Sequence, residues 1–128
     1  MPVDPNSHVP IYEQIADHLR GAVAAGVYRP GEPLPSIRAL ALELLVNPNT
    51  VQRAYQELER QGLLYTRKGL GAFVAEGGER SARNGAAAAV RARFAEGIEL
   101  GRAARMSPGS IRGAFEEQWD ESTGTPEC

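Results

Sequence analysis

The sequence predicts a mainly α-helical protein with one small β-hairpin, and three observations support this fold class. Apolar residues recur at helical spacing in three successive stretches between Pro10 and Gly62. After Gly62 the pattern changes to two short runs typical of β-strands, separated by a glycine-rich turn. Two further helical stretches follow a segment rich in glycine and charge, so we expect a second, purely helical region.

Length and composition narrow the class of protein. A chain of 128 residues has room for one small domain with an appendage, and it can bury a core without disulfide bonds. Its net charge of −2 gives no sign of nucleic-acid binding. The single cysteine, Cys128, cannot form an internal disulfide, which favours a reducing cytoplasm. Residues 1–10 resemble no targeting peptide and no apolar run could span a membrane, so we expect a cytoplasmic protein without membrane contact.

The first predicted helix follows a polar lead-in over residues 1–9. It begins at Pro10 and ends at Gly26. Its apolar residues recur at every fourth position and therefore share one face; they are Ile11, Ile15, Leu19 and Val23. The loop over residues 27–35 contains three prolines, and Pro30–Gly31 is predicted to form its tight turn.

Two helices with a short connection come next. Ser36 suits the N-cap of the first of them. Asn47 and Pro48 suit the N-cap and first position of the second, and Gly62 suits the residue after its end. Only about three residues separate the two helices, which predicts a helix-turn-helix whose second helix is the recognition helix. The expected inward residues of the first of these helices are Ile37, Leu40, Ala41 and Leu44.

The recognition helix has two faces of different chemistry. Its apolar stripe consists of Val51, Ala54, Tyr55 and Leu58. Its opposite face consists of Asn49, Gln52, Arg53, Gln56 and Arg60, with the hydroxyl of Thr50 near the start. Amide side chains can form paired hydrogen bonds with adenine, and a guanidinium can do so with guanine. This face therefore favours contact with base edges; the alternative is a polar surface helix without a partner.

A hairpin directly after a helix-turn-helix is typical of a wing. The predicted strands are Leu63–Arg67 and Ala72–Ala75, around a Gly69-Leu70-Gly71 turn that Lys68 precedes. A lysine and two glycines at the tip favour a close approach to phosphates, whereas an inert hairpin would only pack its apolar residues on the core. The expected core of the whole region is Ile15, Leu19, Leu40, Leu44, Val51, Tyr55, Leu58, Leu64 and Phe73.

The remaining chain is divided into a linker, residues 76–84, a two-helix region, residues 85–119, and a disordered tail, residues 120–128. Ser107 and Pro108 suit the N-cap and first position of the last helix. The two helices carry narrow apolar stripes, made of Val90, Phe94 and Ile98 on one and Ile111, Phe115 and Trp119 on the other. Such stripes cannot form an independent core. We therefore expect a homodimer; the alternative is a monomer in which these helices fold back.

Three segments together resemble the winged-helix domain of GntR-type bacterial transcription regulators: PIYEQIADHLRGAV, RPGEPLPSIRALALEL and VNPNTVQRAYQELERQGLLYTRKGLGAFV. The resemblance runs from Pro10 to Val74, within a predicted domain of residues 10–75. The short helical tail is similar to that of the YtrA subfamily, in which it is a dimerisation unit. The resemblance implies a homodimeric regulator, a repressor by preference, that binds a palindromic double-stranded DNA operator.

The resemblance also implies which residues contact DNA. They are Arg38 in the helix before the turn, Asn47, Asn49, Thr50, Gln52 and Arg53 at the start of the recognition helix, and Lys68, Gly69 and Gly71 in the wing. Two positions depart from the family pattern: Leu70 stands where a basic or polar residue is common, and Ala72 where threonine is usual. Both departures predict a weaker contact by the wing.

Other functions have little support in the sequence. An enzyme would need a nucleophile, a base or a metal cluster, and the chain offers two isolated histidines, His8 and His18. We expect no catalytic site, metal or cofactor. A winged helix that binds only proteins remains an alternative, and salt-dependent DNA affinity would separate the two. A small-molecule effector site at the subunit interface is left open, as are the operator sequence and the sign of regulation.

Overall fold

The computed structural model describes residues 1–123, which form five helices and one two-stranded hairpin. The helices are α1 (Ile11–Ala24), α2 (Ile37–Leu44), α3 (Pro48–Arg60), α4 (Gly78–Ala103) and α5 (Pro108–Thr123), and the strands are β1 (Leu64–Arg67) and β2 (Gly71–Val74). The chain divides into two compact units, residues 1–88 and residues 89 onward. Among the described residues, no helix combines the length and apolar character needed to cross a membrane.

The core of the first unit joins α1, α2, α3 and the hairpin. Most of the residues predicted for it are buried: Ile15, Leu19, Leu40, Val51, Tyr55, Leu58 and Leu64. Leu44 is partly buried and packs against this core. The prediction was wrong for Phe73, which is only partly buried. Strand residues alternate between faces, so Ala72 and Val74 occupy the core side of β2 while Phe73 lies on the other side, stacked on Tyr65.

The predicted helix ends of the helix-turn-helix are confirmed. The Ser36 hydroxyl accepts a hydrogen bond of 3.0 Å from the backbone N–H of Ala39. The Asn47 side chain accepts one of 2.8 Å from the N–H of Asn49, and Pro48 is the first residue of α3. Gly62 has a φ of +83°, the left-handed conformation expected just after a helix.

The turn between α2 and α3 contains a conformation that the sequence did not indicate. Leu45 has a φ of 58° and its side chain is 89% exposed. The N–H of Val46 donates to the carbonyl of Ala41 at 3.0 Å, a hydrogen bond that closes the end of α2 and requires a left-handed residue before it. A left-handed conformation is costly for a residue with a side chain, so the short turn holds Leu45 under strain.

The hairpin is held on both edges of β2. Strands β1 and β2 pair antiparallel, from Leu64 opposite Val74 to Arg67 opposite Gly71. On the other edge, the loop before α2 forms three backbone hydrogen bonds of 2.8–3.0 Å with β2, through residues 31, 32 and 34. From the sequence, this segment was predicted to be a loop without β-pairing. These hydrogen bonds, with an isolated bridge between Pro33 and Phe73, fix the wing to the segment before α2.

Helix α4 begins inside the segment predicted to be a linker. Residues 78–84 are helical, which corrects the prediction of a linker over residues 76–84. Tertiary packing explains the difference: Ala82 is completely buried, and a Cβ added at Gly78 would lie 2.7 Å from the carbonyl oxygen of Leu63. Glycine at position 78 therefore allows the first turn of α4 to lie close to the backbone of Leu63.

The second unit consists of the rest of α4 and α5. The Ser107 hydroxyl accepts a hydrogen bond of 3.1 Å from the N–H of Ser110, which confirms the predicted cap before Pro108. Gly101 lies against Ile111, since a Cβ there would be 2.8 Å from the isoleucine side chain. Helix α5 continues to Thr123, so residues 120–123 of the predicted disordered tail are helical. The rest of that prediction, including Cys128, lies outside the described residues.

Candidate nucleic-acid interface

The recognition helix α3 is oriented by its buried stripe. Val51, Ala54, Tyr55 and Leu58 are buried. The Tyr55 hydroxyl also donates a hydrogen bond of 2.6 Å to the carbonyl of Pro35. Burial raises the pKa of Tyr55, so the hydroxyl keeps its proton and remains a donor. This anchoring leaves the opposite, polar face of α3 in solvent.

The predicted base-reading residues lie on that exposed face, in the first two turns of α3. Asn49, Gln52 and Arg53 are exposed, and Thr50 is half-buried. Asn47 has a second role, because its side-chain oxygen already accepts the capping hydrogen bond from Asn49. Only the amide NH₂ of Asn47 is then free to donate to a ligand.

The two arginines of α3 have different surroundings. The Arg53 guanidinium stacks on the ring of Tyr12, with 3.9 Å between the guanidinium carbon and the ring centroid. The Arg60 guanidinium instead forms an ion pair with the carboxylate of Glu57. Its hydrogen bond to that carboxylate is the largest influence that lowers the pKa of Glu57. Arg60 thus has an acidic partner on its own helix, whereas Arg53 keeps its N–H edge open.

A hollow separates the first turn of α1 from the first turns of α3. It has a volume of about 370 Å³ and is lined by Ile11, Tyr12, Asn49, Thr50 and Arg53. No role was predicted for Tyr12 from the sequence. Fourfold spacing placed Ile11 on the inward face of α1, but nothing in the sequence indicated that the next residue would contact a side chain about forty positions away.

The tip of the wing is exposed and has the backbone of a tight turn. The N–H of Leu70 donates to the carbonyl of Arg67 at 2.9 Å, and Gly69 and Gly71 have φ values of +81° and +107°. Lys68 is exposed, and the side chain of Leu70 is 70% exposed. Glycine is required here because the turn uses left-handed backbone. The charged and apolar tip residues therefore both point into solvent.

Two further features of the wing were not anticipated. The Arg67 guanidinium lies 5.6 Å from the centroid of the Tyr65 ring, so a second cation accompanies Lys68 near the tip. The sequence indicated that Ala72 weakens the wing's contact with DNA. In the structure Ala72 is only 6% exposed and faces the core. A side chain there affects packing of the hairpin and not its outer surface, which corrects that interpretation.

Arg38 lies in the first turn of α2 and is exposed. Its neighbour Ile37 is half-buried, and Leu40 is buried. The structure thus places the predicted site residues on the surface of three elements of the first unit: α2, the start of α3 and the tip of the hairpin.

The residues predicted for dimerisation lie in the second unit, and most are exposed. Val90, Phe94 and Ile98 share one face of α4 and are 41–53% exposed. On α5, Phe115 packs edge-on against Phe94 with 5.7 Å between ring centroids, and it stacks on Trp119. Ile111 differs from the others because it is half-buried against Gly101. Within residues 89–123 these side chains form a row of apolar surface in contact with solvent.

The chain has two histidines. His8 and His18 are both exposed. Within residues 1–123, no three side chains of the metal-binding types histidine, cysteine, aspartate and glutamate come together. The exposed amides, guanidinium groups and lysine predicted as site residues all belong to the first unit.

A helix-turn-helix with a polar recognition helix, followed by a hairpin pinned along both edges of β2, defines the winged-helix class of proteins. Residues 11–74 match the family described as bacterial regulatory proteins, gntR family, and the chain belongs to that family. The match confirms the family expected from the three sequence segments.

Relatives are similar over the first unit or over most of the chain. The HTH-type transcriptional repressor YtrA from Bacillus subtilis is 46% identical over 74 residues, which are 58% of this chain and 57% of that protein. The matched region thus spans less than two thirds of that relative's length. A transcriptional antiterminator from Listeria monocytogenes EGD-e has a similar structure, with a TM-score of 0.67, 34% identity and coverage of 100% of this chain and 96% of that chain. The DNA-binding domain of AraR in complex with operator ORE1 has a TM-score of 0.52 and 30% identity, over 58% of this chain and 90% of that chain.

Proposed function

We propose that this GntR-family chain is a sequence-specific transcription regulator that represses by binding a palindromic double-stranded DNA operator. The observation that carries the proposal is the exposed face of α3. Its first two turns present Asn49, Gln52 and Arg53 to solvent, while the apolar stripe behind them is buried. The similarity to an operator-bound domain and to a protein named as a repressor supports this choice.

The proposed contacts follow from the chemistry of each surface. Helix α3 lies in the major groove, where amides bind adenine and a guanidinium binds guanine through paired hydrogen bonds. Lys68, with the backbone of Gly69 and Gly71, contacts phosphates beside the groove. Arg38, at the start of α2, contacts the phosphate backbone or a base at the groove edge. Asn47 and Thr50 complete the surface at the start of α3.

We propose that the active form is a homodimer. A single recognition helix contacts few base pairs, so two copies related by a two-fold axis would match two half-sites one or more helical turns apart. The apolar row on the second unit, centred on Phe94, is the surface proposed for this pairing. Exposed rows of this kind favour burial against a partner.

The proposed function has consequences for catalysis, cellular location and cofactor use. The relatives are transcription regulators, and no catalytic role is proposed for this chain. A cytoplasmic location fits access to chromosomal DNA. The proposed contacts require no cofactor.

The proposal is tested with the full chain, first by selecting DNA duplexes that bind it and then by titrating its affinity for them. Duplexes selected from a randomised pool should share a palindromic sequence, and footprinting should protect both half-sites. Affinity for the selected duplex should exceed that for a mixed-sequence duplex by about 10³-fold or more and should fall steeply with salt. Arg53→Ala should weaken binding to the selected duplex. Arg60→Ala is the matched control and should have little effect, because Arg60 is already paired with Glu57. Equal, salt-independent binding of both duplexes would support a protein-interaction module instead.

A further inference from the structure

Tyr12 belongs to α1, outside the recognition helix, yet it contacts a side chain proposed to read bases. The guanidinium carbon of Arg53 lies over the Tyr12 ring, 3.9 Å from its centroid. Both helices contribute buried residues to one core: Ile15, three residues after Tyr12 in α1, and Val51, two residues before Arg53 in α3. The backbones that carry the two side chains are therefore fixed relative to each other.

A stack of this kind restrains an arginine without using its hydrogen-bond donors. The ring covers one face of the planar guanidinium, whereas the N–H groups point outward from its edge. Within residues 1–123, Arg53 makes no hydrogen bond or ion pair that would have to be broken before it could bind another group. Arg60, by contrast, would have to leave Glu57.

The position of the stacked group suits contact with bases. Arg53 and Asn49 are four residues apart, so they lie on the same face of α3, and both line the hollow beside Tyr12. Fixing the guanidinium next to the amide presents two donor groups together. Ordering them in advance lowers the conformational entropy that binding must otherwise remove.

We infer that Tyr12 is a positioning residue for base recognition: its ring holds the Arg53 guanidinium beside Asn49 in the orientation that contacts a base pair. The inference rests on the proposed function. It assigns Tyr12 no direct contact with DNA, and its effect on binding is transmitted through Arg53.

A double-mutant cycle in the full chain tests the inference. The probes are the duplex selected by the wild-type chain and a mixed-sequence duplex, and the variants are Tyr12→Met, Tyr12→Phe, Arg53→Ala and the two combinations with Arg53→Ala. Tyr12→Met should weaken binding to the selected duplex by about three- to tenfold, the range that a cation–π contact supports. It should relax base preference at the same position as Arg53→Ala does. In the Arg53→Ala background, Tyr12→Met should have no further effect.

Tyr12→Phe is the matched control because it keeps the ring and removes only the hydroxyl. It should bind the selected duplex within about twofold of the wild type. If Tyr12→Phe loses as much affinity as Tyr12→Met, the hydroxyl acts by itself and the inference is overturned. Additive effects of Tyr12→Met and Arg53→Ala would overturn it as well.

Side-chain NMR of the free, wild-type chain provides a measurement that needs neither a variant nor DNA. The Arg53 δ-methylene protons should show an upfield ring-current shift from the Tyr12 ring. Resonances at random-coil positions would overturn the inference even if Tyr12→Met failed to fold. A chain that shows the ring-current shift but binds both duplexes equally would contradict the proposed function while confirming the stack, so the two failures are distinguishable.

Discussion

The hydroxyl of Tyr55 donates a hydrogen bond of 2.6 Å to the backbone carbonyl of Pro35, which joins the middle of α3 to the loop before α2. That loop also pairs with β2, through residues 31, 32 and 34. One buried tyrosine thus connects the recognition helix to the segment that holds the wing. The relative placement of the two proposed DNA-contacting elements depends on this connection.

Tyr55→Phe should reduce the free energy of unfolding by about 1–1.5 kcal/mol, because it leaves the Pro35 carbonyl without its donor while conserving the ring. Urea unfolding at neutral pH measures the change. Tyr65→Phe, on the outer face of the hairpin, is the control and should be close to neutral. A loss no larger for Tyr55→Phe than for this control would mean that solvent replaces the hydrogen bond.

The ionisation of Tyr55 should make the free energy of unfolding depend on pH. Burial raises the folded-state pKa of Tyr55 above the ordinary value of 10.0. Its contribution is therefore fully present below pH 10 and is lost as the pH rises from that value towards the folded-state pKa. Wild-type stability should fall more between about pH 8 and about pH 11 than that of Tyr55→Phe. Parallel curves for the two proteins would contradict this prediction.

Leu45→Gly should raise the free energy of unfolding by about 0.5–1 kcal/mol. Leu45 has a φ of 58° and is 89% exposed, so glycine relieves backbone strain and removes few contacts. Glycine also has more freedom in the unfolded chain, which limits the gain. Leu45→Ala retains the strain and is the control. Thermal unfolding measures both, and a less stable glycine variant would show that the exposed leucine contributes contacts of its own.

Asn49 and Lys68 should affect DNA binding in different ways. Asn49→Ala should weaken binding to the selected duplex by about 1–3 kcal/mol and alter base preference, since an amide contacts base edges. Lys68→Ala should weaken binding to all duplexes similarly and reduce the slope of log affinity against log salt by about one. Titrations at several salt concentrations measure both effects. The assignment of Asn49 to bases and Lys68 to phosphates would be contradicted if Lys68→Ala changed base preference and Asn49→Ala did not.

Arg38→Ala should weaken DNA binding while leaving the fold intact. Its side chain is exposed at the start of α2, and exposed substitutions usually change stability by less than about 0.5 kcal/mol. Thermal unfolding and a DNA titration of the same preparation separate the two effects. A large fall in the unfolding temperature would identify Arg38 as a structural residue and remove it from the proposed interface.

The start of α4 determines where the chain can be shortened. A chain ending at Ala88 keeps the buried Ala82 and the contact of Gly78 with Leu63, so it should fold as a stable monomer. A chain ending at Glu79 loses Ala82 and should be less stable by about 1–3 kcal/mol, since core surface becomes exposed. Equal stability of the two chains in urea would contradict the role given to this helix.

The chain ending at Ala88 and the full chain with Phe94→Glu should show the same loss of operator binding. Either change removes the pairing of two recognition helices, which otherwise makes the second half-site contact effectively intramolecular at roughly millimolar concentration. Affinity for a palindromic duplex should fall by a factor on the order of a hundred, with half-site contacts unchanged. Sedimentation gives the mass and a gel-shift series the affinity. A Phe94→Glu chain that remains dimeric would place the subunit interface elsewhere.

The sequence by itself determined the features that depend on neighbouring residues. The caps at Ser36 and Asn47, the helix start at Pro48 and the left-handed glycine at residue 62 each concern backbone groups within a few positions of the side chain involved. The amphipathic period of α3 likewise separated its buried stripe from its exposed polar face. The recognition helix and its polar residues were therefore predictable, together with the family.

Tertiary structure decided the features that depend on residues far apart in the chain. Glycine and charge predicted a linker at residues 76–84, but contact with Leu63 and burial of Ala82 made most of it helical. Likewise, helical periodicity placed Arg53 and Arg60 on the same exposed face of α3 and did not distinguish them. Only the packing of α1 against α3 placed an aromatic ring over the first, while the second found a carboxylate on its own helix. Local pattern specifies which way a side chain faces, but what it meets there depends on where distant elements pack.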